Sequence, residues 1–259
     1  MEKLLDEIES YWSTRTEGYS EVNHKELAGT QKNAWLKVLT SQFPDKPKEE
    51  IRILDIGTGP GFFPVILAEA GYHVDAVDYT EGMLEKAKEN AGELCQNIRF
   101  QRMDAQKLEF ADNTFDVVIS RNLTWNLEHP DVAYREWVRV LKAGGKLLNF
   151  DANWYGYLYE EEQRKAYEND RKNVENNSLD DHYLCTDIER MERIALQVPL
   201  SKISRPQWDV KTLREAGLLG IHTDTEIWKT VWSEEERLNY QSTPMFMVTG
   251  VKPDHFLNL

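Results

Sequence analysis

Asp55 closes an apolar run that begins at Ile51, and glycines follow it at alternate positions, Gly57, Gly59 and Gly61. Glycine lacks a Cβ, so a flat ligand can lie against the backbone there, and amide N–H groups at the start of a following helix can face it. Asp78 stands seventeen residues beyond Gly61, at the end of YHVDAVD. Its two acceptor oxygens suit both hydroxyls of a ribose, although the same carboxylate could cap a helix signalled by Thr80 and Glu81. Spacing separates two cofactor classes. Dinucleotide loops use GxGxxG, whose third glycine packs helix on strand; here the third glycine comes one residue early and Phe62 holds the small position.

These residues need strands ending at one edge of a sheet. Five apolar runs qualify: Ile51 to Asp55, Tyr72 to Asp78, Ile98 to Met103, Phe115 to Ser120 and Lys146 to Phe150. Helical patterns separate them, including Phe63 to Ala70 and Pro130 to Leu141, with a Gly144-Gly145 stop. Such alternation implies right-handed crossovers and a parallel sheet. Upstream, an amphipathic opening leads through Tyr11 to Tyr19 into a helix expected over His24 to Leu39, ending before Phe43-Pro44. Downstream, a helix is expected over Val210 to Ala216, then strands over Ile221 to Val231 and Met245 to Val251. About fifty residues separate strand five from that helix, too many for a plain loop, so they should carry structure of their own. Glu160 to Asn177, rich in both signs of charge, reads as a solvated helix face.

With its preceding acid, the segment Asp55 to Gly61 resembles the first motif of class I S-adenosylmethionine-dependent methyltransferases. The FDVV opening of strand four matches the fourth motif in kind and place, and the likeness is nearest to the small-molecule branch with type 11 domains. It covers roughly residues 11 to 151 by motif and the last two strands by pattern. The resemblance implies an α/β, Rossmann-like, seven-stranded and mostly parallel sheet with a C-terminal antiparallel hairpin. Residues 1–45 would be a helical lid, and 46–259 the core, with a helical cap inserted at about 152–205. It implies S-adenosyl-L-methionine as cofactor, with the glycine loop behind its methionine half. Asp78 would take the ribose, and Asp104 the adenine amino group with Ala105 supplying backbone. The other positions carried into the cofactor site are Tyr19, Asp55, Gly57, Thr58, Gly59, Gly61, Tyr79, Met83, Arg121 and Asn122. An aromatic, Arg15 and Tyr19 near the start match the lid of this family, unless Trp12 and Tyr19 merely dock the first helix.

On the acceptor side the expected residues are Arg15, Trp125, Asp151, Trp154 and Tyr155. Aromatic faces beside Asp151 and Glu160 could hold a cationic or aromatic acceptor, or some of the four rings Trp154, Tyr155, Tyr157 and Tyr159 could simply pack cap on sheet. The branch usually has a His-rich segment after strand four, whereas this chain has Asn122, Trp125 and Asn126. No particular acceptor is therefore specified. An activated sulfonium needs positioning and dryness more than a nucleophile from the protein. A general base is needed only where the acceptor holds its proton tightly. The candidates are His24, His129, Asp151 and His182, with His129-Pro130 also suited to capping a helix.

Composition narrows the partners. Forty-five acidic residues against thirty-one Lys and Arg give a formal charge of −14 over 259 residues. That balance opposes phosphate-backbone binding, and the Asn-Pro-Pro-aromatic motif of nucleic-acid amino methylation is absent, so a small-molecule acceptor is expected and nucleic acid is not. No run approaches the ~18–20 apolar residues of a membrane span. The charged start MEKLLDEIES lacks a secretory pattern, so a cytoplasmic location is expected. Cys95 and Cys185 form no CxxC. Asp180, Asp181 and His182 with Cys185 could be drawn as a metal site but read as capping or surface groups, so no metal is expected. Monomer and homodimer both stay open. Two alternatives share the architecture: a cofactor-binding protein without turnover, and a nicotinamide-dependent oxidoreductase. The latter would want GxGxxG and a Tyr-x-x-x-Lys pair; Tyr155 to Tyr159 lacks the Lys.

Overall fold

Ile53, Leu54 and Ile56 are fully buried, and so are Val117, Val118 and Ile119. Strands apolar on both faces must be covered on both faces by helices. The computed structural model describes residues 4–183 and 186–254, and it builds that arrangement. The strands β1 (Arg52–Ile56), β2 (His73–Asp78), β3 (Ile98–Arg102), β4 (Phe115–Arg121), β5 (Leu141–Asp151), β6 (Leu219–Asp224) and β7 (Phe246–Val251) form one sheet. Their order is β3-β2-β1-β4-β5-β7-β6, and β7 runs antiparallel to both of its neighbours. The order reverses between β1 and β4, which opens a crevice at their carboxyl ends where ligands bind in such sheets.

Helices α3 (Phe62–Glu69), α4 (Glu81–Ala91) and α5 (Pro130–Val140) make the crossovers. One core layer joins Leu54, Val118 and Leu147 to Tyr134 and Trp137 of α5. The other joins Ile53, Ile119 and Phe150 to Phe62, Phe63 and Ile66 of α3.

The N-terminal helices differ from expectation. Instead of one helix over His24 to Leu39, α1 runs unbroken over Leu4–Ala28, the chain breaks at Gly29-Thr30, and α2 spans Gln31–Thr40. Both residues at the break are weak helix formers, and the Gly29 amide closes the turn onto the Glu26 carbonyl at 3.2 Å. At about 1.5 Å per residue, α1 is long enough to cross the whole crevice.

After β5 the chain forms α6 (Glu161–Asn176) and α7 (Ile188–Ala195) before α8 (Gln207–Glu215). α6 is mostly exposed, as its charge pattern implies, with Asp170 and Val174 buried. A satellite core packs Ile8 and Tyr11 of α1 against Trp125, Tyr155, Tyr157, Met191 and Ile194, so this segment grips α1.

The expected strand Ile221 to Val231 stops at Asp224, whose carboxylate accepts from the Glu226 amide at 2.8 Å and turns the chain. Trp228–Val231 is the short helix α9, and α10 (Glu234–Asn239) follows. β6 and β7 therefore pair as expected but are joined by helices, not by a tight turn. Among the described residues no helix is long and apolar enough to cross a membrane.

Candidate functional site

The glycine loop between β1 and α3 has positive φ at all three glycines, +70° at Gly57, +52° at Gly59 and +92° at Gly61. Their uses differ. A Cβ on Gly57 would lie 2.7 Å from Leu123 Cδ2, so this glycine lets the loop pass the turn after β4. A Cβ on Gly61 would lie 3.0 Å from the Ala87 Cβ, so this one brings α3 onto α4 and is not in the crevice wall. Gly59 faces the crevice, and the nearest group to its missing Cβ is the Tyr19 ring at 3.8 Å.

The amides of the loop itself, ahead of the helix-start amides expected to face a ligand, bond within the protein. Gly57 and Thr58 donate to the Val77 carbonyl at 2.8 and 3.0 Å, Gly59 to Asp78 Oδ2 at 2.9 Å, and Gly61 to the Thr58 carbonyl at 3.0 Å. A loop whose own amides are spent within the protein presents a flat backbone to a ligand.

Three carboxylates line the crevice at successive strand ends, Asp55, Asp78 and Asp104. Asp78 accepts from Gly59 N and Thr80 N, both at 2.9 Å. The Thr80 side chain and the Tyr79 backbone also bond to it, so a ligand hydroxyl at Asp78 shares its oxygens with these donors. Burial pushes its acidity toward the neutral form, and the backbone donors pull it back. Asp104 Oδ1 is held by the Gln106 backbone and side chain at 2.8 and 3.2 Å. The Ala105 carbonyl accepts from Trp137 Nε1 at 2.9 Å, which leaves its N–H as the group it can offer. Asp55 is 2 % exposed, and burial pushes its carboxyl up to about 7, with Thr58 and Arg121 opposing the shift.

Helix α1 roofs the crevice. Ile8, Trp12, Tyr19 and Asn23 recur at helical spacing along the face that lines it. Trp12 Nε1 donates to Asn126 Oδ1 at 2.7 Å. Trp12 and Tyr19 meet edge to face, with centroids 5.6 Å apart. One further turn along, Glu26 takes both ends of the Arg121 guanidinium, at 2.7 and 3.0 Å. Trp35, Phe62 and Phe63 surround that cation with ring centroids at 5.3, 4.7 and 5.1 Å. Arg121 thus lines the crevice as an already neutralised charge that locks the roof to β4.

The turn after β4 is the strained part. Asn122 holds φ +56°, sparsely populated outside glycine but tolerated by Asn. Three amide atoms of lining residues are buried without a partner in the protein: Asn23 Oδ1, Asn122 Oδ1 and Asn126 Nδ2. Such atoms cost stability unless a ligand or water meets them.

Of the residues picked from sequence, Tyr19, Asp55, Gly57, Thr58, Gly59, Asp78, Tyr79, Met83, Asp104, Ala105, Arg121 and Asn122 line one cavity. Gly61, Arg15, Trp125, Asp151, Trp154 and Tyr155 do not. Asp151 is fully buried at the end of β5, paired with Arg205 Nη1 at 2.6 Å, and accepts from Trp125 N, Ala152 N and Trp154 Nε1. No lone pair is left for an acceptor or a proton, so Asp151 is neither a pocket wall nor a base. Trp125 and Tyr155 pack on each other with centroids 5.0 Å apart.

The histidines also fall away from the cavity. His24 is exposed on α1, and His129 is exposed at the start of α5 without a side-chain cap. His182 contacts Tyr240 Oη and Glu235 at 3.0 and 2.9 Å, while Asp181 pairs with Arg171. Cys185 lies outside the described residues.

Sequence reasoning missed Asn23, Glu26 and the site role of Asn126. The signal for the first two was periodic: with Tyr19 they fall on one stripe of a helix that had been expected to begin only at His24.

Residues 54–149 match a family model described as a methyltransferase domain. The demethylmenaquinone methyltransferase of Bacteroides fragilis is 29 % identical over 150 residues, 56 % of this chain and 60 % of that protein. The chain thus spans less than two thirds of that relative's length. Phosphoethanolamine N-methyltransferase 2 of Haemonchus contortus, solved with S-adenosyl-L-methionine, superposes with a TM-score of 0.60 at 19 % identity, over 85 % of this chain and 52 % of that one. The [4+2]-cyclase SpnF superposes with a TM-score of 0.56 at 17 % identity, over 86 % and 82 %.

Proposed function

We propose that this protein, whose residues 54–149 match a methyltransferase-domain model, binds S-adenosyl-L-methionine in the crevice under α1 and methylates a small molecule there. One observation carries the reading: a single roofed cavity gathers Asp78, Asp104, the Gly59 backbone and three unpartnered amide atoms. Asp78 fits the ribose, and Asp104 with the Ala105 N–H fits the adenine edge. The flat loop at Gly59 backs the methionine half, with Tyr19 covering it.

When bound, the cofactor supplies a methyl group already activated as a sulfonium. The protein's part is to orient the acceptor in line and to exclude water. Trp12 and Tyr19 do the excluding from the roof, and Asn122 and Asn126 do the orienting from below. In this reading residues 1–45 are a lid, 46–259 a core, and about 152–205 a cap that fixes the lid and does not itself wall the pocket. The relatives' acceptors, a demethylmenaquinone and a phosphoethanolamine by their names, mark the kinds of small molecule to test first. The excess of acidic residues favours these over nucleic acid.

SpnF, a cyclase on this fold, motivates a second reading in which the cofactor is bound without methyl transfer. Calorimetric titration with S-adenosylmethionine, S-adenosylhomocysteine and NAD tests the site. NAD binding in place of the other two would sink the reading. Cofactor binding with no S-adenosylhomocysteine released in the presence of a metabolite extract would favour the second one.

A further inference from the structure

Helix α1 crosses the sheet in strand order. Glu9 pairs with Arg102, the last residue of β3, at 3.3 Å. Thr16 Oγ1 lies 3.1 Å from the point where a Cβ on Gly82 would stand, in α4 just after β2. Tyr19 lies over Gly59, after β1, and Glu26 meets Arg121 at the end of β4. The sequence of contacts along the helix is therefore that of the sheet, β3-β2-β1-β4. A ligand with its adenine at Asp104, its ribose at Asp78 and its methionine half on Gly59 ends beyond Tyr19 and short of Glu26. Among the described residues one roof residue in the cavity wall stands in that interval, Asn23.

Asn23 is costly where it is. It is 2 % exposed, and its Oδ1 is buried without a partner among the described residues. Asn is also a weak helix former in the interior of a helix. A buried amide left unsatisfied destabilises the fold by its desolvation, and a leucine of nearly the same shape would not. A side-chain amide offers an acceptor and donors side by side. An α-amino acid offers donors on its ammonium and acceptors on its carboxylate, both carried by one carbon. Resting on the cofactor-binding reading above, we propose that Asn23 binds the amino-acid end of the cofactor, so that the roof is tied to the ligand at the end farthest from the adenine. A nucleoside lacking that end fills the rest of the crevice and leaves Asn23 unengaged.

The test compares S-adenosylhomocysteine with 5′-methylthioadenosine, the same nucleoside thioether without the amino-acid end, by calorimetry on the full chain. The change of residue and the change of ligand then form a double-mutant cycle. Asn23→Leu should weaken S-adenosylhomocysteine by about ten- to a hundredfold, the range for a hydrogen bond to a charged group. Affinity for 5′-methylthioadenosine should stay within about twofold of the wild type. Without ligand the same variant should melt at or above the wild-type temperature, because it removes the orphaned amide, whereas loss of a merely structural Asn would lower it.

Asn23→Ala, which adds no bulk, should repeat the discrimination between the two ligands. Equal loss of both ligands in the two variants, unchanged affinity for S-adenosylhomocysteine, or melting of both variants well below the wild type overturns the proposal while leaving cofactor binding intact. Wild-type protein that binds neither S-adenosylmethionine nor S-adenosylhomocysteine removes the cofactor reading and this inference with it.

Discussion

The indole of Trp12 donates to the side-chain oxygen of Asn126 at 2.7 Å, joining α1 to the turn after β4 across 114 positions of sequence. An indole N–H can only donate, so the bond fixes which way the Asn126 amide faces and leaves Nδ2 for a ligand. Trp12→Phe keeps a ring in the roof and deletes the bond. A hydrogen bond of this kind contributes about 0.5–1.5 kcal/mol, so affinity for S-adenosylhomocysteine should fall by roughly three- to tenfold in calorimetry. Adding Asn126→Ala should cost less than its effect in the wild type, since the two residues act as a pair.

Gly57 and Gly59 should respond differently to the same change. Alanine at either one incurs the left-handed backbone cost of ~1–2 kcal/mol. At Gly57 it also drives a methyl into Leu123, 2.7 Å away, whereas at Gly59 the nearest group is 3.8 Å off. Gly57→Ala should lower the melting temperature more, and Gly59→Ala should lower cofactor affinity more. The reverse order would place the ligand on the wrong glycine.

Asp78→Asn replaces one acceptor oxygen with a donor that must face a backbone N–H or a ribose hydroxyl. Loss of a hydrogen bond to a charged group costs about 1.5–3 kcal/mol, or roughly ten- to a hundredfold in the dissociation constant for S-adenosylhomocysteine. Unchanged affinity would remove Asp78 from the site.

Asp55 predicts a pH dependence. Its carboxyl ionises near 3.8 when exposed and at about 7 in the fold, so the folded state holds a proton that the unfolded chain has lost. Its contribution to stability is therefore complete below about 3.8 and is lost as pH rises through 7. The loss is on the order of 4 kcal/mol as an upper figure. Urea midpoints measured from pH 4 to 8 should fall more steeply for the wild type than for Asp55→Asn. Parallel curves would show that the carboxylate is already ionised at low pH.

Arg205 is fully buried between two carboxylates, donating to Asp151 at 2.6 Å and to Asp209 at 2.6 and 2.9 Å. Asp209 also accepts from Tyr134, which is bonded in turn to Asn149 and, through it, to Thr124. Arg205→Met leaves two acids facing each other in the interior and should destabilise the protein by about 3–5 kcal/mol, read from chemical denaturation. A change under 1 kcal/mol would mean that the network relaxes at little cost.

The strand ends and the glycine loop were legible in the sequence because their information is local. Asp55, the three glycines and Asp78 lie within one strand–helix–strand unit, and their spacing alone places them at one sheet edge. Asp151 was misread for the converse reason: an acid ending a strand at that edge reads as ligand-facing, and only Arg205, 54 positions later, shows it to be interior. That Glu26, 95 positions earlier, takes the charge of Arg121 was not legible, because nothing near either residue in the sequence reveals the pair. Val231 suggested strand because β-branched residues favour one, but burial of Ile227 and Val231 against the core around Trp35 holds that segment as a helical turn.

The roof lies ahead, in sequence, of every element that receives it. Glu26 waits for Arg121, Trp12 for Asn126, Ser10 for Arg190 and Gln31 for Glu236. Until Arg121 and Asn126 have been made, α1 therefore carries its apolar stripe without these partners, while the sheet that will receive it is still being assembled. A ribosome-bound nascent chain halted before Arg190 would hold α1 by fewer of these anchors than a finished one.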